Sequence, residues 1–112
     1  MVSKMFDEQM VSKSKIFVHP PEDLPYQVVA TYLDNCRKGV QPLKEAMARL
    51  DYDFIGVYAH RMKGSGGGYG FPKLTEIGAS MEDAARGRNG EALRKYAASL
   101  EAHLESLEVI EA

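Results

Sequence analysis

Apolar residues recur along this chain at alternating intervals of three and four, the repeat of helices that each bury one face. The longest such seam is Val29, Leu33, Cys36, Val40, Leu43, Met47 and Leu50, and it runs through Gly39 and Pro42 without a break in spacing. Proline removes one main-chain hydrogen bond and crowds the turn before it. The pattern therefore predicts one kinked helix, about 40 Å long at a rise of about 1.5 Å per residue. It should start near Asp23 as N-cap, with Pro25 in its first turn. Asp51-Tyr52-Asp53 makes the next turn, and either aspartate can cap a second helix with the seam Ile55, Tyr58, Met62, Ser65 and Tyr69. Pro72 opens a third, with Leu74, Ile77, Met81 and Ala84 or Ala85 facing inward. Beyond the turn Gly87-Arg88-Asn89-Gly90, Asn89 caps a last helix with the seam Leu93, Ala97, Leu100, Leu104 and Leu107. No segment shows the alternating period of a strand. Four amphipathic helices on short connections predict an all-α fold, an antiparallel four-helix bundle over residues 21–112.

Residues 1–20 read as a short N-terminal extension. Met1-Val2-Ser3-Lys4 recurs there as Met10-Val11-Ser12-Lys13, and Ile16-Phe17-Val18 is suited to cap one end of the core. His19-Pro20-Pro21 stops any helix arriving from upstream. A chain of 112 residues makes one domain with one core. A net charge of −2 gives no electrostatic footprint for nucleic acid. The fourteen Lys and Arg residues are scattered, so no basic patch for a membrane surface forms. No apolar run approaches the ~20 residues of a membrane span, and Asp7, Glu8 and Gln9 interrupt the order of a signal peptide. Cys36 stands alone on an apolar stripe, which fits a reduced buried thiol in a cytoplasmic protein.

His60 breaks this picture of plain packing. At about 100° per residue, Gly56, Gly64 and Gly67 fall within about 40° of His60, with Lys63 about 60° to one side and Val57 about 60° to the other. The expected seam lies near the opposite pole. The histidine is thus predicted to face solvent from a strip of bare backbone. Gly56, Gly64, Gly66, Gly67 and Gly68, if all helical, would together cost roughly 3–4 kcal/mol, a large share of a small domain's ~5–15 kcal/mol. The later glycines can end the helix instead, but Gly56 and Gly64 have no such excuse. Access to the imidazole explains them better than packing does.

A neutral imidazole nitrogen is nucleophilic near neutral pH, since its unperturbed pKa is about 6.5. It can accept a phosphoryl group without a dedicated base, and phosphoryl transfer asks chiefly for positioning and charge neutralisation. Lys63 is placed to offer an ammonium, Gly64 leaves room for the phosphoryl oxygens, and Gly56, Val57 and Gly67 offer footing for a partner. Other chemistries fit less well. The glycines lack the spacing of a dinucleotide fingerprint or of a phosphate-binding loop with its Gly-Lys-Ser/Thr, so no ATP site is expected. No histidine follows a glutamate by three residues, as the metal sites of helical bundles often require. His103 lies beside a seam, where a structural role is expected, and His19 falls in a loop.

The run His60, Lys63, Gly64, Ser65, Gly66, Tyr69 and Gly70 resembles the signature of histidine-containing phosphotransfer domains. Tyr32-Leu33-Asp34-Asn35-Cys36-Arg37, Phe71-Pro72-Lys73-Leu74 and Gly90-Glu91-Ala92-Leu93 are similar to neighbouring stretches of bacterial members, so the resemblance spans about residues 16–110. Gly67 and Gly68 depart mildly from the pattern. The resemblance implies a four-helix bundle that shuttles phosphate between receiver-domain aspartates in two-component phosphorelays. It implies that His60 carries the phosphoryl group, at Nε2, that Lys63 steadies it and that Gly64 and Gly67 permit access. The implied partners are a response-regulator receiver domain and a hybrid histidine kinase. No cofactor or metal is expected on this chain, because the catalytic aspartate and Mg²⁺ belong to the receiver. Such a protein is a phosphocarrier without stand-alone kinase catalysis, expected to act as a monomer. The rival expectation is a module of the same fold that docks and regulates a receiver or another helical partner without carrying phosphate.

Overall fold

The computed structural model describes residues 15–111, so the Met1 and Met10 repeat lies outside the described residues. A strand β1 (Ile16–Val18) precedes helices α1 (Tyr26–Lys38), α2 (Val40–Ala48), α3 (Tyr52–Ser65), α4 (Pro72–Arg86) and α5 (Gly90–Ser106), and strand β2 (Leu107–Val109) follows them. A 3-10 turn, Gly67–Tyr69, links α3 to α4.

The single kinked helix expected for the first arm is two helices, α1 and α2, broken at Gly39. Gly39 itself keeps helical dihedrals (φ −74°, ψ −10°), and its N–H is shared between the carbonyls of Asn35 and Cys36 at 3.0 and 3.2 Å. Pro42 has no N–H to return to the Lys38 carbonyl, so the ladder fails one turn before the proline while the chain path continues. The start also differs from expectation. α1 begins at Tyr26 with Pro25 as N-cap residue and no side-chain cap, and Asp23 sits in the turn where the Leu24 N–H donates to the Pro21 carbonyl at 3.0 Å. A residue before proline avoids helical dihedrals, and Leu24 is such a residue.

The other caps follow the sequence. Asp51 accepts from the Phe54 N–H and Asn89 from the Ala92 N–H, each at 3.1 Å. Two helices end in a left-handed residue that is not glycine: Leu50 after α2 (φ 58°) and Arg88 after α4 (φ 53°). In both, the following N–H reaches back five residues, Asp51 to Ala46 and Asn89 to Ala84, at 2.9 Å, which satisfies the last carbonyls. Leu50 is thereby turned off the seam and is 62 % exposed, against expectation.

Val29 and Leu33 of α1, Leu43 and Ala46 of α2, Ile55, Ala59 and Met62 of α3, and Leu93, Leu100 and Leu104 of α5 close on Phe71, Leu74, Ile77 and Met81. The buried stripe of α3 is turned toward Ala59, leaving Tyr58, Ser65 and Tyr69 only half-buried. α4 causes this rotation by pressing on that flank: a Cβ on Gly78 would stand 2.6 Å from the Lys63 nitrogen and 2.9 Å from the Ala59 carbonyl oxygen. Only glycine permits such an approach of two backbones.

The expectation of no strand fails before the first helix and after the last. β1 and β2 pair in parallel, with Ile16, Phe17 and Val18 opposite Leu107, Glu108 and Val109. Three residues each are too few to display a period of two. Val18 packs against the core, while Ile16 and Phe17 stay exposed. Arg37 fastens this corner: its Nε and Nη2 donate to the Leu104 carbonyl at 3.1 and 2.8 Å, and Nη2 donates to the Leu107 carbonyl at 2.6 Å. Those are carbonyls at the end of α5 that a helix leaves without partners. Arg37→Ala should lower unfolding free energy by about 1–2 kcal/mol in urea titrations, and Arg37→Lys should recover only part of the loss. An unchanged urea midpoint would show that solvent replaces the guanidinium without penalty.

Candidate functional site

His60 projects from the middle of α3, on the side away from Ile55, Ala59 and Met62, with its side chain 68 % exposed. The expectation of an open imidazole holds in geometry. Its Nδ1 lies 2.8 Å from Oε2 of Glu82, on α4, and the other oxygen of that carboxylate lies 2.7 Å from Nζ of Lys63. Glu82 therefore joins the two expected site residues into one cluster. Its carboxyl is held below the usual carboxylate range, first by the Lys63 hydrogen bond and then by the His60 one, against a smaller opposing effect of burial. An ionised carboxylate can only accept. The bond to His60 thus places the ring hydrogen on Nδ1 and leaves the lone pair on Nε2, at the outer edge of the ring.

α4 supports the site along one stripe. Thr75 accepts from the Gly67 N–H at 2.8 Å and donates to the Lys63 carbonyl at 3.0 Å, which fixes where α3 stops. Gly78 lets α4 touch the backbone of Ala59 and Lys63. Glu82 then meets the side chains of His60 and Lys63 one turn further on. α1 holds the far end of α3 through aromatic rings. Tyr32 stacks on Tyr69 with centroids 4.1 Å apart and lies 5.8 Å from Phe71. Its hydroxyl meets Ser65 Oγ at 2.6 Å, and Ser65 Oγ donates to the Arg61 carbonyl at 2.9 Å. Burial pushes the Tyr32 phenol up to about 12, so it remains a neutral donor.

The glycines divide. Gly64 has nothing within 4 Å of a virtual Cβ, so the surface beside His60 and Lys63 is open there. Gly56 forms part of a groove floor, its virtual Cβ 3.9 Å from Ala85. Gly67 lies beyond the end of the α-helix, in the 3-10 turn, and so is not on the helical line of His60 that unbroken periodicity predicts. Gly66 is a packing glycine, with Leu74 Cβ 2.8 Å from its virtual Cβ. Val57 is 54 % exposed at the rim of the groove. That groove, about 510 Å³ between α3 and α4, is lined by Gly56, Val57, His60, Arg61, Glu82, Arg86 and Arg88.

Three of these residues escape periodicity. Glu82, Arg86 and Arg88 come from α4 and the turn beyond it, 22 to 28 positions after His60 in the chain. A signal does exist: Thr75, Gly78 and Glu82 are spaced three and four apart, a small and polar stripe beside the apolar one. His103 is half-buried on α5, with its proton affinity lowered first by burial and then by Lys73, and His19 is exposed outside the helices. Cys36 is half-buried, and burial pushes its thiol up. Among the described residues, no group of three or more His, Cys, Asp or Glu side chains is gathered to hold a metal ion, and no helix is long and apolar enough to cross a membrane.

Searches of the curated proteins and of the solved structures returned no match. A family model does match: the Hpt domain, over residues 27–109. That span takes in all five helices but the first residue of α1, and it contains His60, Lys63 and Glu82. The chain belongs to the Hpt domain family, the histidine phosphotransfer domains of two-component phosphorelays.

Proposed function

We propose that His60 carries a phosphoryl group on Nε2 and passes it to and from a receiver-domain aspartate. The observation that carries this reading is the Glu82 bridge, which fixes the ring hydrogen on Nδ1 and leaves Nε2 facing solvent. In the accepting direction the Nε2 lone pair attacks phosphorus, an N–P bond forms, the P–O bond to the aspartyl carboxylate breaks, and that carboxylate leaves. No proton moves. The ring becomes cationic, and the Glu82 carboxylate stabilises it through the Nδ1–H, a charge-assisted hydrogen bond stronger than the neutral one it replaces. Lys63 spends one of its three donors on Glu82, which leaves the others for the phosphoryl oxygens. Gly64 keeps the approach clear, and Gly56 and Val57 meet the partner. Mg²⁺ comes with the receiver, and the phosphate arrives from or returns to a hybrid kinase. The same reading takes the helical arms as antiparallel, as the short turns between them favour.

The test is transfer of label from a phosphorylated receiver domain. Acid-labile, alkali-stable label should appear on this chain. Its absence with every receiver of the source organism would favour the docking-only alternative. A finer check addresses Glu82. Glu82→Gln should slow transfer about tenfold, the difference between a charged and a neutral acceptor. A glutamine can also donate to Nδ1 and drive the hydrogen onto Nε2, so the imidazole nitrogen spectrum should change from one tautomer to a mixture. An unaltered spectrum would remove Glu82 from the mechanism. The pH behaviour has a definite sign. Because the Glu82 carboxyl is lower in the fold than in the unfolded chain, its contribution to stability is present above the ordinary carboxylate range and disappears as pH falls through the depressed value.

A further inference from the structure

The geometry points to Arg61 and Arg88 as the contacts by which this chain recognises an acidic protein surface around the partner's phosphoaspartate, an inference that rests on the phosphotransfer reading. The cations around His60 are not equivalent. Lys63 is paired with Glu82 at 2.7 Å, and Arg86 with Asp83 at 3.1 Å. Arg61 and Arg88 have no carboxylate in ion-pair range among the described residues, although both line the groove beside His60. Against them the groove holds one carboxylate without a cation partner among the described residues, Asp53.

Arg88 carries a second, independent mark. It occupies φ 53°, a conformation in which a side chain crowds the backbone and for which glycine is the usual choice at a helix end. Gly87 and Gly90 stand within two positions of it, yet the left-handed residue is the arginine. Its guanidinium lies over the Tyr52 ring, 5.7 Å from the centroid, and Tyr52 lines the same groove. A strained residue, pinned to the wall of a site and lacking an internal counter-charge, is placed to meet something outside the fold. The partner's chemistry supplies it. A phosphoaspartate beside metal-holding carboxylates makes a strongly acidic surface, and guanidinium groups pair with carboxylates through two parallel hydrogen bonds.

The test uses the full chain and a receiver domain of the same source organism that passes label to the wild-type protein. At 50 mM NaCl, Arg61→Gln combined with Arg88→Gln should lower kcat/KM about tenfold, and the deficit should close by about 500 mM NaCl as salt screens the wild type. Arg88→Gly alone should lose part of the rate without any fall in thermal midpoint, since strain relief offsets the lost stacking. Arg88→Lys should keep only part of the rate, because the charge remains while the paired hydrogen bonds and the stacking on Tyr52 are lost. Leu50→Gly relieves the same strain outside the groove, and should raise the midpoint by about 2–5 °C with transfer unaltered. A double variant with wild-type rate and salt dependence overturns the proposal. So does a deficit that persists at high salt, or one that accompanies a fall in the Arg88→Gly midpoint, because either marks a structural role. If the wild type takes label and the variants match it, this inference alone falls. If the wild type takes none from any receiver, the phosphotransfer reading falls first.

Discussion

Replacing His60 by glutamine is expected to bring label acceptance to background while leaving the domain folded. The amide nitrogen of glutamine has its lone pair delocalised into the carbonyl, so it cannot attack phosphorus, whereas its N–H can still donate to Glu82. His60 is an exposed residue outside the core. Surface substitutions of this kind change stability by about 0.5 kcal/mol or less, so thermal and urea midpoints should stay close to wild type. Loss of label together with loss of the fold would leave the chemistry unassigned, and for that reason the midpoints are measured on the same preparation. Label persisting on the glutamine variant would move the phosphoryl group to another side chain and end the proposal.

Gly78→Ala is expected to weaken both the fold and the site. The added methyl would meet the Lys63 nitrogen at 2.6 Å, the Ala59 carbonyl oxygen at 2.9 Å and the Lys63 Cα at 3.0 Å. All three are backbone atoms, which cannot turn aside as a flexible side chain would, so α3 and α4 must separate. Overpacking of this sort costs about 1–3 kcal/mol and occasionally more, and the better helix propensity of alanine, about 1 kcal/mol, offsets part of it. A net loss of about 1–2 kcal/mol in urea titrations is expected. Transfer should slow as well, because the displacement carries Glu82 away from His60 and Lys63. Wild-type stability in Gly78→Ala would mean that the helices stand further apart than these distances state.

How much of this is legible in the sequence depends on which physical rule governs each residue. The exposure of His60, the nearness of Lys63 and the open flank at Gly64 follow from helical angles, because a helix interior obeys them closely. The caps at Asp51 and Asn89 follow from side-chain chemistry. Glu82 does not, since its role depends on how two helices are rotated against each other, and Gly78 sets that rotation through one close approach. The seam of α3 differs for the same reason: periodicity weighs Ala59 below Tyr58, but α4 presses on the Ala59 side. Leu50 fits the spacing of the first seam and still faces solvent, because helix α2 ends before it and the left-handed turn redirects it. Strands of three residues, paired across nearly the whole chain, leave no local pattern to detect.

The parallel ladder between Ile16–Val18 and Leu107–Val109 has a bearing on how the domain comes apart. Bundles ordinarily unravel from their terminal helices, where main-chain groups at the ends lack partners. Here the last carbonyls of α5 are held by Arg37, and the segment leaving α5 is zipped to the one entering the bundle. The place where fraying would begin is latched. The end of α5 is thereby bound to the cooperative opening of the whole fold, and the helix that carries His60 is insulated from loosening that starts at the edges.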